Sequence, residues 1–300
     1  MRTSVLRKAS VVAALAVLFT WSYWPTLWQL AATWVREPDY SHGFFVAPLA
    51  LYFLWARRDR MPAYESRIHW AGLAPLAASV AIRVVGARYY LEAFDGWSVM
   101  FWVAGVVWLF CGLRILVWSL PAILFLWFMV RLPYRLELGL SLPLQTIATN
   151  VSCWALQVLG QPALPEGHTI VLGDHTLEVE QACSGLRIFM GIAALASAYV
   201  VLSHRLWWER TILLLSAVPI AVVANVSRVV VTSLLFQYAE TDAAKKFSHD
   251  AAGWLMIPFA AALFALVLWW LGKSWSEVEL VGVDAVAGRR SRRSGGPMTR

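Results

Sequence analysis

Apolar runs of about twenty residues recur along this chain, set apart by short loops that carry its basic and aromatic residues. In lipid such a run has one backbone solution. A helix satisfies every peptide N–H and C=O internally, so the runs predict an all-α polytopic membrane protein. Composition agrees: 60% of the 300 residues are apolar, 18 are Trp and only 14% are charged, too hydrophobic for a soluble domain. The net charge of +7 sits in loops and tail, where it sets topology. The partner it implies is the lipid bilayer, with no nucleic acid. Three cysteines, Cys111, Cys153 and Cys183, have neither CxxC nor zinc-finger spacing, and His42, His168, His175 and His249 match no compact ligand pattern. No cofactor and no metal site is implied.

The order of the runs predicts about eight transmembrane helices with both termini cytoplasmic, at 9–30, 44–55, 70–85, 98–113, 115–130, 185–202, 211–236 and 252–271. The first is read as uncleaved, because Thr20 to Pro25 offer no small-residue processing site. Arg57, Arg58 and Arg60 stop the short second span, and Arg83, near the end of the third, reads as a snorkelling side chain. Residues 138–159 differ: Gln145, Thr146, Asn150, Ser152 and Gln157 interrupt them. Leu140, Leu144, Ile147, Val151, Trp154 and Val158 step by four and three, so this stretch is expected to lie on or dip into the outer surface. A full crossing would send Arg205, Arg210 and the basic tail outside, against the usual charge bias. The stretch GHTIVLGDHTLEVE alternates around Gly173 and Asp174, which predicts a small extracytoplasmic β-hairpin. Residues 1–272 form the multi-pass domain, and 273–300 read as a basic, disordered, cytoplasmic tail.

Chemistry concentrates where that hairpin meets the next span. In HTLEVEQACSGLRIF, Glu178 and Glu180 precede Cys183 and Arg187 follows it by four residues, one helical turn on the same face. A nearby guanidinium and a helix N-terminus both favour thiolate, the reactive form of cysteine. Taken locally, Cys183 reads equally well as a small packing residue. Arg228, in ANVSRVV with Asn225, is the strongest anomaly, since an arginine inside an apolar run costs about 2.5–3.5 kcal/mol on insertion scales. His249, in KKFSHDAAGW, falls at the outer start of the last span. The expected topology brings thiol, guanidinium and imidazole to one membrane face, a set suited to acyl transfer. In a transporter or channel, Arg228 and Asn225 would instead line a solute path. A disulfide between Cys153 and Cys183 would disarm the thiol.

The ordered motifs DYSHG (39–43), LSLPLQ (140–145), LEVEQACSGLR (177–187), NVSR (225–228) and HDAAGW (249–254) resemble the exosortases and archaeosortases, multi-pass membrane cysteine transpeptidases. The resemblance covers most of the chain. It implies catalytic roles for Cys183, Arg228 and His249, with Arg187, Asn225, His42 and Glu180 in support. It also implies secreted protein substrates of the PEP-CTERM type, which carry a C-terminal signal of short motif, membrane helix and basic cluster. The chain departs from many members at Ile188, where they have serine after the arginine.

Overall fold

The computed structural model describes residues 2–64, 67–173, 175–178, 185–203, 205–238 and 242–274. It is mostly helical, as the apolar runs require. Nine helices carry the described fold: α1 (Arg2–Arg36), α2 (Gly43–Ala56), α3 (Leu73–Tyr89), α4 (Glu92–Cys111), α5 (Leu113–Phe125), α6 (Tyr134–Val158), α7 (Gly185–Leu202), α8 (Trp207–Tyr238) and α9 (Asp242–Ser274). Four stretches among the described residues are long and apolar enough to cross a bilayer: Trp70–Tyr89, Glu92–Cys111, Trp207–Leu235 and Leu255–Lys273. Leu113–Met129 and Tyr134–Val158 pass the same test only as a pair, bent by 79° at a short break, the geometry of a broken span or of a re-entrant loop. Gly43–Ala56 and Leu186–Leu202 are apolar but shorter.

Of residues 138–159, expected as one amphipathic helix, all but the capping Leu159 fall in α6. Its N-terminus follows the extended residues Val130 and Pro133. Proline there cannot donate a ladder hydrogen bond and disfavours helix at the residue before it, which accounts for the break. Between α4 and α5 the chain turns within one residue, Gly112, at φ +85°, a value glycine takes without steric cost.

The predicted hairpin is part of a three-stranded antiparallel sheet, β1 (Ala163–Glu166), β2 (Thr169–Leu172) and β3 (His175–Glu178), in that spatial order. Glu166 pairs with Thr169 and Leu172 with His175, leaving two-residue turns. Gly167 and Gly173 open those turns at φ +63° and +56°, as tight hairpins of this kind demand. The first strand was not anticipated, because Pro165 breaks its β pattern; an edge position tolerates that proline.

Among the described residues, three apolar clusters join most of the helices and the sheet. The first joins α1, α2, α4 and α5 to Ala194 and Ala198 of α7 around Phe53, Met100 and Phe125. The second packs α7 against α8 and α9 through Ile188, Ala196, Leu213, Ala221, Ala224, Met256 and Phe264. The third seats the sheet on α6 and α8 through Leu156, Cys153, Ile170, Leu177 and Val229.

Arg83 corrects one expectation. It is an inter-helix bridge rather than a snorkelling side chain: its Nε lies 3.0 Å from the Asp95 carboxylate. Its two terminal nitrogens donate to the hydroxyl and carbonyl of Ser22 at 2.8 and 2.6 Å. With α1 and α4 both offering acceptors beside α3, the guanidinium finds protein partners instead of headgroups.

Candidate active site

Helix α8 buries polar residues inside a candidate span. Asn225 and Arg228 are only 2% and 4% exposed, and Thr232 and Ser233 are equally buried. At about 100° per residue, Asn225, Arg228 and Thr232 fall within about 60° of one another, so they form one stripe. The stripe runs along a seam. Ala217 and Ala224, to one side of it, belong to the cluster shared with α7 and α9; Val229, to the other side, belongs to the cluster shared with α6 and the sheet. The Ser152 hydroxyl of α6 reaches the Val226 carbonyl at 3.5 Å, tying that wall to the same level. Among the described residues, Asn225 Oδ1 and the hydroxyls of Thr232 and Ser233 are buried with no hydrogen-bond partner. Buried polar atoms are rarely left so, and the ionisable Arg228 in the same stripe is, inside a membrane span, a functional candidate by default.

Cys183 and Glu180 lie outside the described residues. The residues that flank them are described, and they fall on opposite sides of the seam: Leu177 of β3 in the sheet cluster, Ile188 of α7 in the helical one. Ile188, 6% exposed, serves there as a packing residue. His249 lies in α9, which packs on α7 and α8. Arg228 stands ten residues before the end of α8 at Tyr238, and His249 seven residues after the start of α9 at Asp242. At 1.5 Å per residue their backbones are thus about 15 and 10 Å from the same end of the helix pair. Cys153 is a free thiol, buried in the sheet cluster.

The DYSHG segment forms a clasp at the start of α7. Asp39, in the 3-10 turn Pro38–Tyr40, accepts from Arg187 Nε at 3.2 Å across 148 positions of sequence. Arg187 is therefore engaged by a carboxylate, and only part of its field is available to a neighbouring thiol. His42 Nε2 donates to the Phe128 carbonyl at 3.0 Å. Burial lowers its pKa, and backbone hydrogen bonds to Phe128 and Asp39 oppose that shift without cancelling it. Buried Tyr40 accepts from the Leu132 N–H at 3.4 Å, and burial, with the charge of Glu137, pushes its hydroxyl up to about 12. In this arrangement Asp39, Tyr40 and His42 anchor the loop to the α5–α6 bend and to α7. Sequence reasoning named His42 and Arg187 but missed Asp39 as the partner of Arg187, and it missed Thr232. The helical step of four from Arg228 was the available signal for Thr232.

Gly43 closes the clasp. A Cβ there would run into the Trp34 indole nitrogen, which donates to the Met129 carbonyl at 2.8 Å. Gly43→Ala is expected to destabilise the protein by about 1–3 kcal/mol through overpacking and loss of that bond. Gly139→Ala, where a Cβ meets nothing within 4 Å, is expected to be neutral or slightly stabilising in mid-helix. Thermal denaturation in detergent measures both.

Fold and site together define a multi-pass helical membrane protein with a buried polar stripe beside a small sheet. The chain belongs to the transmembrane exosortases, whose family profile matches residues 34–269. Membership puts it in the class of membrane protein-sorting proteases and transpeptidases. It matches no curated protein and no solved structure.

Proposed function

We propose that this protein is a cysteine transpeptidase or protease that cleaves the C-terminal sorting signal of secreted proteins at the outer face of a bacterial inner membrane. The observation that carries the reading is the buried stripe of Asn225 and Arg228, set in a seam whose two walls hold the described residues on either side of Cys183. The thiolate of Cys183 attacks the carbonyl of a peptide bond next to the substrate's membrane helix. Arg228 stabilises the oxyanion, the C–N bond breaks, and His249 gives its proton to the departing amine. The thioester left on Cys183 is resolved by water, giving hydrolysis, or by an acceptor amine, giving transfer. About eight spans, with both termini cytoplasmic, carry this site to the extracytoplasmic side.

The test is co-expression with a secreted protein that ends in a short motif, an apolar helix and a basic cluster. The expected result is loss of that tail only when this chain is present, and a hydroxylamine-sensitive adduct between substrate and Cys183. A tail that stays intact in membranes containing the folded protein overturns the reading.

A further inference from the structure

The polar stripe of α8 holds an acceptor that the proposed chemistry does not use. Cleavage at a cysteine needs a base, an acid and a donor to the oxyanion, yet Asn225 Oδ1 is a buried carbonyl oxygen without a hydrogen-bond partner among the described residues. At 2% exposure inside a span, neither bulk water nor headgroups satisfy it. Leaving such an atom unmade is costly, so a ligand N–H that reaches it gains more than it would at a surface. Its place relative to Arg228 says which N–H. Residues three apart on a helix have Cβ atoms about 5–6 Å apart on one face. In an extended chain, the N–H and C=O of the same residue point to the same edge and are taken up together by a facing strand. A stripe with an acceptor at Asn225 and a donor at Arg228 therefore complements one residue of an extended peptide, not one amide unit, whose N–H and C=O point opposite ways.

Resting on the proposed function above, we infer that Asn225 and Arg228 together grip the residue whose carbonyl is attacked: Asn225 Oδ1 accepts its backbone N–H while Arg228 holds its carbonyl oxygen. Asn225 is thus a substrate-binding residue that selects an extended polypeptide with a free N–H at that position. The buried hydroxyl of Thr232 continues the polar lining one turn further along α8.

The experiment replaces the amide bond one position before the cleaved residue by an ester, in a synthetic substrate peptide bearing the membrane tail. This removes the N–H and leaves the scissile bond untouched. Purified full-length protein in detergent is assayed on amide and ester substrates, as wild type, Asn225→Ala and Asn225→Asp. Wild type is expected to lose about tenfold in kcat/KM on the ester, with most of the loss in KM. Asn225→Ala is expected to process both substrates equally, at about the rate of wild type on the ester. Asn225→Asp keeps an acceptor and is expected to retain the preference for amide. Equal processing of both substrates by the wild type overturns the inference without needing any variant. So does an alanine variant that still prefers the amide. If cleavage occurs but does not depend on Cys183, the proposed function fails instead, and the two failures are told apart in one assay.

Discussion

Replacing Cys183 with alanine is expected to abolish tail removal, to below about one thousandth of wild type, while the protein still inserts and folds. No other group in the proposed site can form the acyl intermediate, so the variant retains only whatever positioning gives to attack by water. Cys183→Ser is expected to fare little better, because a hydroxyl ionises far less readily than a thiol and the site was built around a thiolate. The other cysteines are the controls. Cys153 is a buried packing residue under the sheet, so Cys153→Ala is expected to cost stability but not processing. Cys111 ends α4 at its turn into α5, remote in sequence from every proposed catalytic residue, and its alanine variant is expected to process normally. The measurement is the trimmed fraction of a co-expressed reporter, normalised to folded protein. A membrane-impermeant thiol reagent should label wild type and not Cys183→Ala. Normal trimming by the alanine variant removes the thioester mechanism; absence of trimming in every variant and in the wild type returns the solute-path reading to the front.

Much of this architecture was legible from residue pattern because a bilayer tolerates so few solutions. Apolar runs had to be helices, and Gly173 between alternating residues had to be a turn. Other features depended on partners distant in the chain. Arg83 looked like a side chain reaching for headgroups until Asp95 and Ser22 appeared beside it. Asp39 and Arg187 each stand in a recognisable motif, but nothing local says that they pair. Pro165 hid β1, because edge position is a property of the sheet rather than of the strand. The stripe on α8 was half visible: Arg228 stood out by its cost in an apolar run, whereas the orphaned oxygen of Asn225 is a fact of packing that no spacing reveals.

Arg228 gives the second large effect, a loss of rate measured against the amount of folded protein. An arginine only 4% exposed inside a candidate span is held there against an insertion cost of about 2.5–3.5 kcal/mol. A residue retained for packing would not be an arginine. Arg228→Leu is expected to lower kcat by about 10²–10³-fold per folded molecule, the usual effect of removing an oxyanion donor. Arg228→Lys keeps the charge but not the planar fork of donors, so it is expected to recover only part of the lost rate. The loss should appear in kcat rather than KM, since the developing oxyanion exists only past the ground state. Should Arg228→Leu instead lose activity only in step with folded protein, the guanidinium is a structural member of the α8 seam. The same buried stripe that makes Asn225 a binding residue would then have no electrophilic partner. The two predictions therefore constrain each other: the amide preference at Asn225 is meaningful only if the loss at Arg228 is one of rate.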